Sequence, residues 1–294
     1  MRVSERHIFD SATRRLEYSR ERLTVATSQA SSGQRVARAK DDPAAAALLV
    51  RHEAVRARAA SIEKSAGTAL DDLDAVDAAL GEAGGALEEA LALAIQMSND
   101  TFNAGDRAAA APAADELLKA FVSALNVESD GRFLLSGTRD DQPAFSETGV
   151  YQGDDGVRRI EVAPGVNETV SVRADIAIAG TNGGVDIPAT LTTLRDALVA
   201  NDAAGIRSSI GALHESVRQL STLRSDVGAR GLTLQSAVAI ADGVQASAQR
   251  GAATAGDIDI TEAATEMAFA QRAFEAAVQA SARSFEPTLL NALR

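Results

Sequence analysis

One apolar register constrains this chain more than any other feature. From Pro43 to about Ser98, Leu48, His52, Val55, Ala59, Ile62, Ala66, Ala69, Leu73, Val76, Leu80, Ala83, Leu87, Ala90 and Ala94 recur in three- and four-residue steps. Such steps stack side chains on one face of an α-helix. At ~1.5 Å per residue the run predicts a helix roughly 80 Å long, well beyond the usual globular helix. Its start is marked by Asp42 before Pro43, a carboxylate N-cap followed by proline at the first helical position. Gly81, Gly84 and Gly85 weaken the run and predict a bend there.

The rest of the chain mirrors this run. Asp202 to Gly251 keeps the same steps through Leu213, Val217, Leu220, Val227, Leu234, Val238 and Ala241, with Arg224 and Gly231 in two slots. A shorter helix is predicted from Ser4 to Ser31, on a seam of Phe9, Ala12, Leu16, Ser19, Leu23, Ala26 and Ala30, and Gly33 stops it. The last helix starts near Ile260 and runs to about Phe285. Its seam is Ala264, Met267, Phe274, Val278, Ser281 and Phe285, with Gln271 in one slot, and Pro287 is expected to end it. Two further helices are predicted, from Asp106 to about Glu128, where Pro112 is awkward, and from Thr190 to Ala200.

The stretch from Ser129 to about Pro188 differs. Gly, Asn, Asp and Pro cluster, and β-branched residues alternate with polar ones. Arg132–Ser136, Val157–Val162 and Thr169–Val172 are strand-like. Pro164-Gly165-Val166-Asn167 separates the last two, and Asp154-Asp155-Gly156 is a hairpin-turn signal. The fold class is therefore mainly α: a long antiparallel helical bundle with terminal coiled-coil-like helices and a small β-rich inserted domain. The expected division is 1–42, an N-terminal assembly helix and connector; 43–128 and 189–251, the two bundle halves; 129–188, the insert; and 252–294, a C-terminal assembly helix. The terminal helices have thin seams and need partners, because such helices are marginal alone in water.

Composition removes several function classes. The net charge of −12 argues against nucleic-acid binding. The absence of cysteine excludes disulfides and thiolate chemistry. No run of ~20 apolar residues predicts membrane insertion, and the charged start MRVSERHIFDSATRR does not read as a cleaved signal. The acidic pairs Asp41-Asp42, Asp71-Asp72, Asp140-Asp141 and Asp154-Asp155 lack the alternating spacing of a calcium loop. His7, His52 and His214 are too few and scattered for a metal or triad constellation, and a buried, hydrogen-bonded place is expected for His52. Neither a G-x-S-x-G elbow nor a phosphate loop is present. No catalytic, cofactor-binding or metal-binding residues are assigned, and no cofactor is expected.

The segment SSGQRVARAKDDPAAAALLVRHEA, Ser31 to Ala54, resembles the N-terminal signature of the bacterial flagellins and their junction relatives. The C-terminal DIDITEAATEMAFAQRAFEAAVQASARSFEPTLLNAL, Asp257 to Leu293, looks like the matching terminal helix. In the centre, NVESDGRFLLSGTRDDQPAF and VYQGDDGVRRIEVAPGVNETVSV are similar to the hook-associated branch found at the distal hook–filament junction. AFAQRAFEAA and Ala229-Arg230-Gly231-Leu232 depart from the filament-flagellin pattern, whereas the ending Leu289–Arg294 is closer to it. The resemblance implies an extracellular structural role, not an enzyme: a ring-forming adaptor between hook and filament. It implies contacts with further copies in a homo-oligomeric ring, with the proximal junction protein, with flagellin and with an export chaperone, and export by the flagellar type III apparatus. The implied assembly residues are Phe9, Leu16 and Leu23 on the first helix, and Arg35, Arg38, Asp41 and Asp42 in the connector. On the last helix they are Ile260, Met267, Phe274, Val278 and Phe285. Filament-forming flagellin is the alternative within the family, and a cytoplasmic helical scaffold the alternative outside it.

Overall fold

A computed structural model describes the backbone of residues 2–292 and the side chains of residue 7 and residues 9–283. Among the described residues, seven helices and two hairpins follow in the order α1 (Arg2–Ser32), α2 (Pro43–Met97), α3 (Ala104–Leu125), β1 (Glu128–Ser129), β2 (Arg132–Phe133), β3 (Arg159–Ala163), β4 (Val166–Thr169), α4 (Ala174–Ala177), α5 (Ile187–Val199), α6 (Ala203–Gly256) and α7 (Ile260–Ala292). The fold is mainly α, with the β structure confined to two two-stranded sheets. Two compact units result: Ala59–Gly243, and Met1–Arg58 with Val244–Arg294.

The Ala59–Gly243 unit is a four-helix bundle with the β insert packed on it. Leu73, Leu80 and Leu87 of α2 meet Leu118 and Phe121 of α3, Leu191, Leu194 and Leu198 of α5, and Leu213, Leu220 and Leu234 of α6 in one buried core. The predicted α2 register holds from Ala59 onward, whereas Leu48 and Val55, before it, are exposed. The pairs run antiparallel. Asp77 takes a two-pronged 3.0 Å contact from Arg224, and Leu70 lies against Gly231. On the other pair Arg107 reaches Asn201 while Asp115 reaches Arg195.

Several local expectations are corrected. α2 runs unbroken through Gly81, Gly84 and Gly85, where Gly81 faces Arg224 and Gly84 faces Leu220. α3 starts at Ala104, capped reciprocally by Asn103 and Asp106, and continues through Pro112. α7 likewise continues past Pro287 to Ala292. An interior proline removes one backbone hydrogen bond but leaves the turns on either side intact. α6 extends five residues further than its seam, to Gly256.

The insert is less strand-rich than its sequence suggests. Asp130 and Gly131 both have positive φ, 51° and 74°, and join β1 to β2 in the turn that suits hairpin twist. Pro164-Gly165 joins β3 to β4, so Val166-Asn167 belongs to the strand and not to the turn. Asp154-Asp155-Gly156 is no hairpin turn. The Asp154 carboxylate accepts from the Thr138 amide at 2.7 Å and the Gly156 amide at 3.0 Å. Gly137, at φ 76°, lets that carboxylate approach, since a Cβ there would stand 2.2 Å from Asp154 Oδ1. Tyr151 closes the same loop, its hydroxyl 3.0 Å from the Asp154 carbonyl and 3.2 Å from that of Leu135.

Four polar ties hold the insert to the bundle, one of them the Arg230 guanidinium donating to the Ser171 carbonyl at 2.7 Å. Asn126 makes paired 2.9 Å bonds with the backbone of Phe145. Gln219 bonds the Val185 amide and the carbonyls of Ala177 and Val185. Buried Asp72 receives Arg132 and Arg158.

Candidate assembly interface

The other unit is built on α1 and α7, which pair antiparallel. Arg22 meets Glu266 at 2.5 Å, and beyond the helix ends Gln34 bridges Asp257. The most buried side chains of the pair, among the described residues, are alanines: Ala26, Ala263 and Ala270 are 4%, 2% and 3% exposed. Small side chains let two backbones come near enough to exclude water. Leu16, Leu23, Met267 and Phe274 are half-buried on the same seam. The α7 seam is thus shifted from the sequence expectation. Ala263, Ala270 and Ala277 face inward, while Ala264, Gln271 and Val278 are exposed.

The connector between α1 and α2 is stitched to the connector between α6 and α7. Gly33 adopts φ 70°, ends α1 through a 2.9 Å bond to Gln29, and accepts from Ile258 at 3.0 Å. The Arg35 amide donates to Gly256 at 2.7 Å. Its guanidinium reaches the Ala255 carbonyl at 2.8 Å and Asp42 at 3.0 Å, so one side chain satisfies the end of α6 and the start of α2. Asp42 caps Ala44 and Ala45. The Ala45 amide first, and then Arg35, hold its carboxyl below the usual carboxylate range. Asp41 accepts the Arg38 amide in a closed turn. Arg38 and Lys40 stay exposed. Asp259 caps the first turn of α7, and the amide of Thr261 lowers its carboxyl pKa.

The remaining expected assembly residues lie outward. Phe9, Ile260 and Val278 are exposed, and the Phe285 side chain lies outside the described residues. Sequence reasoning missed Tyr18 and Val25 on α1 and Phe269 on α7, all exposed. Their signal was present: a large apolar group standing alone among polar neighbours on a helix whose main seam is elsewhere. Val25 borders two shallow grooves of about 170 and 250 Å³, and Phe269 borders one of about 480 Å³ with Gln29, Arg35 and Glu262.

This surface suits protein contact. Among the described residues no group of three His, Asp or Glu could hold a metal ion, and no helix is long and apolar enough to cross a membrane. His7 and His214 are exposed. His52 is half-buried, its ring over Gly251.

Comparison with solved structures places the fold. A flagellar hook-associated protein structure from Vibrio parahaemolyticus matches with TM-score 0.67 at 19% identity, over 74% of this chain and 100% of that one. Flagellar hook-associated protein-3 from Legionella pneumophila matches with TM-score 0.58 at 14% identity, over 67% and 97%. FlgL from Bacillus cereus matches with TM-score 0.54 at 16% identity, over 64% and 98%. No curated protein sequence matches the chain. Residues 3–140 match the bacterial flagellin N-terminal helical region. That match takes in α1, the stitched connector, α2 and α3, so the first part of the chain is similar in sequence to the flagellin N-terminal region, and the chain shares the fold of the hook-associated structures.

Proposed function

We propose that this structural component of the flagellum is a ring-forming adaptor between the hook and the flagellin filament. The likeness to hook-associated folds supports the junction. One observation carries the assembly mode: α1 and α7 pair through alanines, yet leave Tyr18, Val25, Ile260, Phe269 and Val278 exposed. A helix pair that has already closed its own seam has no intramolecular use for these groups, and burying them against neighbouring copies gains roughly 25 cal/mol per Å². Residues 1–42 and 252–294 act as the assembly segments, 43–128 and 189–251 as the bundle halves, and 129–188 as the outward insert. The proximal junction protein and flagellin are the flanking partners. Export runs through the flagellar type III apparatus without a cleaved signal, with a chaperone on the apolar face of α7.

The flagellin match over residues 3–140 also favours a second reading, a filament-forming flagellin. Immunogold electron microscopy of intact flagella, with an antibody to residues 129–188, separates the two. Gold confined to the hook–filament boundary is expected. Gold along the filament makes the chain a flagellin, and gold absent from the flagellum overturns both readings.

A further inference from the structure

Charge is divided unevenly between the two units. Ala59–Gly243 carries 13 Lys and Arg against 28 Asp and Glu, a net −15, while the other unit carries 16 against 13, a net +3. The most uneven stretch is α2 from Ser65 to Met97, with seven carboxylates and no Lys, Arg or His. Asp72 and Asp77 are used internally, by Arg132, Arg158 and Arg224. Asp71, Asp74, Glu82 and Glu89 fall on one exposed face of the helix. Among the described residues no ion pair reaches these four. The positions between them on that face are Ala78 and Gly85, which leave the carboxylates open to a close partner.

The matching opposite charge is on the connector. Arg38 and Lys40 are exposed, and among the described residues neither has a carboxylate partner. Copies of this chain can pair their units in three ways. Acidic on acidic and basic on basic both repel; only the acidic unit of one copy on the basic unit of another attracts.

We propose that the acidic face of α2 docks on the Arg38–Lys40 connector of a second copy. The two patches differ, so successive copies can continue the contact head to tail, as a ring or helical stack requires. The proposal rests on the assembly reading above and names which surfaces meet.

The chain has no cysteine, so engineered thiols report the contact cleanly. Gly85→Cys puts one thiol in the acidic stripe, where an added Cβ meets no atom within 4 Å. Ala39→Cys puts the other between Arg38 and Lys40. The two full-length variants are mixed equally and oxidised at low salt. The mixed dimer joining positions 39 and 85 should exceed either same-position dimer by about tenfold. The excess should vanish at about 0.5 M NaCl, where the screening length falls to roughly 4 Å. Glu82→Lys with Glu89→Lys on the first partner should abolish it, and Arg38→Glu with Lys40→Glu on the second should restore it. A mixed dimer at only about twice either same-position dimer, as random pairing gives, no dimer, or an excess that salt leaves unchanged would overturn the proposal. Immunogold keeps the two ideas apart. Junction labelling without the mixed dimer removes this contact alone; the mixed dimer with no labelling of the flagellum removes the junction reading alone.

Discussion

Arg107 is buried, and its guanidinium serves three acceptors: the carbonyls of Met97 and Asn99 and the side chain of Asn201, at 3.0, 3.2 and 2.7 Å. It therefore closes the end of α2 and holds the turn between α5 and α6. Arg107→Ala leaves those acceptors unsatisfied and should lower stability by about 2–4 kcal/mol, read as a shift in the urea midpoint. Asp72 does comparable work for the insert. Burial raises its pKa, but Arg158 and then Arg132 outweigh this, and the carboxyl ends below its ordinary value. A carboxylate lowered by folding contributes stability above its unfolded pKa of about 3.9 and loses it as pH falls through the folded value. Asp72→Asn should therefore destabilise at neutral pH and flatten the acid decline; an unchanged pH–stability curve would count against the tie. Neither residue was legible as a tie beforehand, because their partners stand far away in sequence: 60 and 86 residues for Asp72, 94 for Arg107.

At the scale of elements, the helices and the connector cap were legible, because three-four periodicity, Asp42-Pro43 and Gly33 are local signals. The face of α7 was not. Its alanines occur at nearly every step, so Val278 drew the seam toward itself, whereas the close approach to α1 selects Ala263, Ala270 and Ala277. The two faces give opposite predictions. Ala270→Leu overpacks the α1–α7 seam and should destabilise that pair by about 1–3 kcal/mol, seen as increased protease sensitivity of α7. Phe269→Asp, on the exposed face, should leave protease resistance and helicity unchanged but stop incorporation into flagella. Equal effects from both variants would mean that the two faces are not distinct. The insert was half-legible: its position and hairpins follow from composition, but Asp154 binds Thr138 in place of making the turn its neighbours suggest.

At the scale of the molecule, one unit has the large core and the other exposes apolar groups on paired helices. Removing residues 257–294 deletes α7 without touching the Ala59–Gly243 core, so that core should keep its urea transition while the protein fails to incorporate. The most direct measurement is electron microscopy of cells lacking the chain, with assay of flagellin in the medium. An adaptor at the hook–filament boundary predicts hooks without filaments and flagellin released unassembled, both reversed by the full chain but not by the version lacking residues 257–294. Normal filaments on cells lacking the chain would contradict the account.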